Sequence, residues 1–263
     1  MTKGVPPSPV LAAGCLINHH ALVTGGGSGI GRAIAVRLAE LGATVRIVGR
    51  HAAALEETCA MGPKDRILAV QGDIRQEQDR HRIINALPVT DGLDILVNNA
   101  GGQFYAAARD ISDRGWDSVI DLNLNATFKL TRGLFDHLAQ RGGSVVNISL
   151  SGTERGTSGL AHSIAARAGV LGFSRTLALE WAKHNIRINC LSPGTVLSPA
   201  FVSAATPETV ERLISATPAG RTTHPEEVAE MVAFLASSSA TMLTGQIFML
   251  DGGAHIGPGL GMI

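Results

Sequence analysis

Seven short apolar runs, HALVTG, ATVRIVG, RILAV, LDILVNN, GSVVNIS, IRINCLS and QIFMLDGG, recur between about residue 20 and residue 250, with helical patterns between them. Strands spaced this far apart cannot be joined by hairpin turns. They require right-handed βαβ crossovers, which build a parallel sheet with helices on both faces. The expected fold is α/β, a doubly wound seven-stranded parallel sheet. Composition fits buried strands and close helix packing: 31 glycines in 263 residues and only 4% aromatics, where glycine usage averages roughly 7%. No linker, repeat or low-complexity segment divides the chain, so residues 1–263 read as one domain.

The turn after the first strand is Thr24-Gly25-Gly26-Gly27-Ser28-Gly29-Ile30-Gly31, and it opens the helix RAIAVRLAELG. Glycines at 25, 29 and 31 allow a tight turn, let backbone N–H groups approach a pyrophosphate, and pack the helix against the strand. The helix N-terminus adds favourable charge for a phosphate. Gly25, Ser28, Gly29, Ile30 and Gly31 are therefore the candidate dinucleotide turn of a Rossmann-type sheet. The second strand ends Gly49-Arg50-His51, with no carboxylate for a ribose 2′-hydroxyl. A guanidinium suits a 2′-phosphate, so Arg50 favours NADPH; the alternative is an exposed Arg opening the next helix. Asp73, closing the third strand, is either an adenine contact or the N-cap of the following helix.

Twenty-two basic residues balance 22 acidic ones, which leaves no electrostatic footprint for nucleic acid or an anionic membrane. No apolar run reaches the roughly 18 residues of a membrane helix. Cys15, Cys59 and Cys190 lack metal or CxxC spacing and read as reduced, buried thiols; no metal site is expected. With no leader or peroxisomal address read at either end, the expected compartment is the cytoplasm. The irregular segment 195–223, with Pro199, Pro207 and Pro218 around a helical pattern near Glu208 to Ala216, follows the sixth strand. It is the expected substrate lid.

TGGGSGIG, NNAG at Asn98 to Gly101, Asn123 in DLNLNATF, Pro193-Gly194 and Asp251-Gly252-Gly253 together resemble the short-chain dehydrogenase/reductase family over nearly the whole chain. The resemblance implies a nicotinamide cofactor and a homotetramer paired through long helices. It implies that Asn98, Asn99, Ala100 and Gly101 flank the adenosine. Pro193, Gly194, Val196 and Ser198 would lie along the nicotinamide end. The segment GLAHSIAARAGVLGFSRTLALEWAKH, small or apolar around most of its circumference, independently suggests a partner subunit.

The family's Tyr-x-x-x-Lys is replaced by Ser163-Ile164-Ala165-Ala166-Arg167, and its catalytic Ser by Leu150, between Ser149 and Ser151. Only Asn123 stands unchanged. Ser163 and Arg167 share a face of a helix expected to start near Thr157. Arg167 is expected to pair with the nicotinamide ribose. Ser163 reads as an oxyanion donor or a small packing residue, and His162 as a residue at the rim. Asn123 is expected to bond backbone and position a water chain, with Asn125 competing for that role. Ketone reduction develops an alkoxide that a positioned acid helps by roughly 10²–10⁴ in rate. Enoyl-thioester reduction develops an enolate that hydrogen-bond donors can stabilise alone. Gly101-Gly102-Gln103-Phe104, Ala161-His162-Ser163 and Leu177-Ala178-Leu179-Glu180-Trp181 resemble the peroxisomal-type trans-2-enoyl-CoA reductases, and more loosely the 2,4-dienoyl-CoA reductases. The expectation is an NADPH-dependent enoyl-thioester reductase. A dienoyl reductase, an imine or ketone reductase and a non-catalytic NADPH-binding scaffold remain open.

Overall fold

The computed structural model describes residues 11–87, 92–198, 201 and 205–257. All seven apolar runs form strands: β1 (His20–Thr24), β2 (Thr44–Gly49), β3 (Ile67–Gln71), β4 (Ile95–Asn98), β5 (Ser144–Ile148), β6 (Arg187–Pro193) and β7 (Ile247–Leu250). Every pairing is parallel, and the spatial order is β3-β2-β1-β4-β5-β6-β7. The chain winds outward from β1 to one edge and then from β4 to the other. The reversal between β1 and β4 leaves a crevice at the carboxyl ends of the strands, where such sheets take ligands.

Two cores cover the sheet. On one face α1 (Gly29–Glu40) and α9 (Pro225–Ala236) pack Ile34, Leu38, Val228 and Val232 against Val23, Ile47 and Val97. On the other, α5 (Thr127–Gly133), α6 (Phe135–Ala139) and α7 (Ala161–Trp181) bury Leu130, Leu134, Leu138 and Trp181 against Leu22, Leu96 and Val145. The inner strands are apolar on both sides because both faces are covered. The remaining helices are α2 (Ala52–Met61), α3 (Glu77–Asn85), α4 (Asp113–Ile120) and α8 (Pro207–Ser215). No helix among the described residues is long and apolar enough to cross a membrane.

Two local expectations are corrected. The helix carrying Ser163 begins at Ala161 rather than near Thr157. Gly156 and Gly159 adopt φ of 82° and 80°, left-handed values that hold the chain out of the helix until Leu160. Cys15 is exposed rather than buried. Cys190 is buried, and desolvation pushes its thiol up to about 11. Within the 195–223 segment, positions 199–200 and 202–204, including Pro199, lie outside the described residues. Its helix, α8, matches the expected pattern within a residue at each end.

Candidate active site

The dinucleotide turn explains itself sterically. Gly25 sits at φ +69°, and a Cβ on Gly31 would fall 2.2 Å from the Gly25 carbonyl oxygen, so α1 can start this close to β1 only with glycine at 31. Thr24 ties the turn to the neighbouring loop, its Oγ1 accepting from the backbone N–H groups of Asn99 and Ala100, both at 3.0 Å. Asn99 Nδ2 donates back to the Thr24 carbonyl at 3.0 Å. No local sequence pattern marks this clasp between TGGG and NNAG. Thr24 looks like an ordinary strand residue until its partner across 75 positions is seen.

A cleft of about 370 Å³ opens above the turn, lined by Gly25, Ser28, Gly29, Ile30, Arg50, Asp73, Asn99, Ala100, Gly101 and Ser198 among others. Ser28 is the N-cap residue of α1, and its side chain makes no capping bond. The crevice thus offers a phosphate the backbone end of a helix and a nearby hydroxyl. Gly31 lies behind the cleft rather than on its wall. Pro193, Gly194 and Val196 also lie off that wall: Gly194 donates its N–H to Leu250, and Val196 bridges to Thr223. Asn98 turns away from the cleft. It is buried, and its Nδ2 donates to Thr131 Oγ1 at 2.8 Å and Asn147 Oδ1 at 2.7 Å, stitching β4 to β5 and α5.

Asp73 is not the N-cap of α3; Gln76 is. Its carboxylate takes both arms of Arg75, with Nη2 at 2.5 Å and Nε at 3.0 Å, and the Arg75 backbone N–H at 3.0 Å. The Arg75 side-chain bonds, aided by its charge and that of Arg50, hold the Asp73 carboxyl below the usual carboxylate range. The cleft wall at the end of β2 therefore carries Arg50, while Asp73, the only carboxylate on that wall among the described residues, is already paired.

Asn123 lies in a single wide turn, Asp121–Ala126, that joins α4 to α5 with π-type hydrogen bonding. Such turns recur where a helix must aim a side chain at a site. Asn123 Oδ1 accepts from the Gly102 N–H at 3.0 Å, and its Nδ2 donates to the Gly102 carbonyl at 2.7 Å. The expected backbone bond is thus present, and it braces the loop after β4. Asn125 is exposed.

On α7 the hydroxyl of Ser163, fully buried, donates to Gln103 Oε1 at 2.7 Å, and Arg167 Nη1 donates to Ser163 Oγ at 3.2 Å. The Arg167 guanidinium also approaches Gly101: a Cβ there would sit 3.4 Å from its Nη2 and 2.7 Å from Asn123 Oδ1. Burial holds the Arg167 pKa down at about 10, still cationic at neutral pH. Gln103 belongs to the stretch Gly101-Gly102-Gln103-Phe104 and carries no motif of its own. Sixty residues separate it from Ser163, and no local signal links them. His162 is not at the rim. Its ring is fully buried, edge-on against Phe104 with centroids 4.3 Å apart. Ser149 is buried, and the Ser151 hydroxyl donates to Asp251, which also holds the His255 ring at 2.9 Å. Tyr105 is exposed in the loop before α4.

A Gly-built phosphate turn at the switch point of a doubly wound sheet, together with the hydrogen-bonded polar cluster on α7, defines a dinucleotide-dependent oxidoreductase site. The family model described as enoyl-(acyl carrier protein) reductase matches residues 25–255. A Bacillus subtilis protein named "Probable 2,4-dienoyl-CoA reductase" is 35% identical over 245 residues, covering 90% of this chain and 96% of its own. A Listeria innocua protein named "NAD-dependent glycerol dehydrogenase" is 32% identical over 90% of this chain and 93% of its own. The crystal structure of a short chain dehydrogenase from Bacillus anthracis superposes with a TM-score of 0.82 at 36% identity, covering 90% of this chain and 97% of that one. The chain belongs to the short-chain dehydrogenase/reductase family, whose fold binds a nicotinamide cofactor.

Proposed function

We propose that the chain is an NADPH-dependent reductase of the conjugated C=C bond of enoyl thioesters, carried on CoA or on a carrier protein. The observation that carries this reading is the hydrogen-bonded group Arg167, Ser163 and Gln103, in which Ser163 and Arg167 occupy the positions of the family's Tyr and Lys and Gln103 joins them from the loop after β4. It is a chain of hydrogen-bond donors anchored on a cation, without an acid that titrates near neutral pH. Such a group can stabilise charge on an oxygen, but it is a poor source of a proton for an alkoxide. When bound, the nicotinamide supplies hydride to the β-carbon.

The protein's own residues do the rest. Gly25, Ser28, Gly29 and Ile30 hold the pyrophosphate at the start of α1, and Arg50 takes the 2′-phosphate. Arg167 faces the ribose beside Gly101, and Asn123 keeps the loop from Asn99 to Gly102 in place. Pro193, Gly194, Val196 and Ser198 form the nicotinamide end. The described part of segment 195–223 covers the acyl chain, with Val210, Leu213 and Ile214 half-buried along one side of α8. The relatives named 2,4-dienoyl-CoA reductases support the same kind of acceptor, a conjugated thioester.

The test is NADPH oxidation followed at 340 nm with trans-2-decenoyl-CoA, 2,4-decadienoyl-CoA and a 3-oxoacyl-CoA. Turnover with the first, and little with the 3-oxo substrate, is expected. Efficient 3-oxo reduction with no enoyl activity overturns the proposal.

A further inference from the structure

The hydrogen-bond chain on α7 has a direction. An Arg side chain carries donors and no acceptor, so Ser163 Oγ accepts from Arg167. A serine hydroxyl has one proton, and Ser163 directs it to Gln103 Oε1 at 2.7 Å. Ser163 is fully buried and has no second proton for a substrate. The Gln103 amide is thereby fixed with its oxygen inward. Its Nε2 group, on an exposed residue, has no protein partner among the described residues.

The loop holding Gln103 is clamped on both sides. Asn123 brackets Gly102, and the Ala106 N–H donates to the Gly159 carbonyl at 3.1 Å. Gly101, two residues earlier, lines the dinucleotide cleft.

We propose that the Gln103 amide, and not the Ser163 hydroxyl, donates the hydrogen bond that carries the enolate charge, with Ser163 and Arg167 as positioning residues behind it. This rests on the enoyl-thioester reading. Hydride adds to the β-carbon and the C=C electron pair moves onto the thioester oxygen, where Gln103 Nε2 donates. The electron pair returns as the α-carbon takes a proton from water, so each turnover consumes one NADPH and one proton. Arg167 polarises Ser163, and Ser163 polarises the amide, each bond strengthening the next.

The experiment measures kcat and KM with trans-2-decenoyl-CoA, NADPH affinity and Tm for Gln103→Leu, Gln103→Glu, Ser163→Ala and the double variant Gln103→Leu/Ser163→Ala. Gln103→Leu should lower kcat by roughly 10²–10³, as loss of one oxyanion donor does, with NADPH affinity within about twofold and Tm unchanged. Gln103→Glu should be no better, because it sets a carboxylate against the enolate. Ser163→Ala should lower kcat by about tenfold, and the double variant should match Gln103→Leu alone, because the serine acts through the amide. Native turnover that survives Gln103→Leu within threefold, or losses that multiply in the double variant, overturns the assignment while leaving the enoyl reading intact. A native protein that reduces no enoyl or dienoyl thioester removes both.

Discussion

We propose that Arg50 sets the cofactor preference at the level of one side chain. It lines the cleft at the end of β2, where a carboxylate would accept from a ribose 2′-hydroxyl, and the nearby Asp73 is already held by Arg75. A charge-assisted pair to a 2′-phosphate contributes about 1.5–3 kcal/mol, or roughly ten- to a hundredfold in affinity. NADPH should therefore bind more tightly than NADH by that factor, and Arg50→Asp should erase or invert the preference. Titration of intrinsic fluorescence with both cofactors measures it; equal affinities in the native protein contradict the assignment. At this scale the sequence was informative where a residue type serves a single purpose. Gly25 and Gly31 were legible because a Cβ is sterically impossible at 31 and strained at 25. Gln103 and Thr24 were not, because their roles exist only with partners 60 and 75 positions away. His162 was misplaced because helix rotation alone cannot show that Phe104 folds over its ring.

Among the elements, the strands and α1 follow from pattern, whereas the connections at the carboxyl edge do not. Runs such as LDILVNN are apolar because both faces are covered. The loop between β5 and α7 depends instead on three glycines, Gly152, Gly156 and Gly159, whose left-handed φ the sequence pattern does not show. The start of α9 carries a testable brace. Glu227 accepts the His224 N–H at 2.8 Å and both arms of Arg221, at 2.8 and 2.6 Å, fixing the exit of segment 195–223. The Arg221 hydrogen bonds hold the Glu227 carboxyl below its usual range. A depressed carboxyl contributes stability that is present above its unfolded-state pKa and is lost as pH falls through the native one. Glu227→Gln should cost about 1–2 kcal/mol at pH 7, in the range of a lost cap with a charged bond. That gap should close as pH drops below roughly 5 toward the native value. Urea denaturation of both proteins from pH 7 to pH 3 reads it directly, and a gap that stays constant over that range rejects the brace.

At the scale of the whole molecule, the outward face of α7 stands uncovered among the described residues. Along α7, His162, Ser163, Ala166, Val170, Ser174, Leu177 and Trp181 turn inward. Ala165, Ala168, Gly172, Thr176 and Leu179 turn out; Leu179 is 83% exposed, and nothing lies within 4 Å of a Cβ at Gly172. A monomer exposing this stripe would leave apolar surface in water, while small residues at 165, 168 and 172 allow a second helix to approach closely. We propose that copies of this chain pair across α7 into a homotetramer of about 109 kDa, four chains of 27.3 kDa. Because Ser163 and Arg167 occupy the inward face of the same helix, pairing would stiffen the scaffold that aims Gln103. Assembly and turnover should then fall together. Light scattering after size exclusion at micromolar concentration should give the tetramer mass, and Leu179→Glu should reduce it and lower kcat while leaving the fold intact by circular dichroism. A native mass of 27.3 kDa under those conditions would show that α7 is a free surface and that the active-site helix needs no partner.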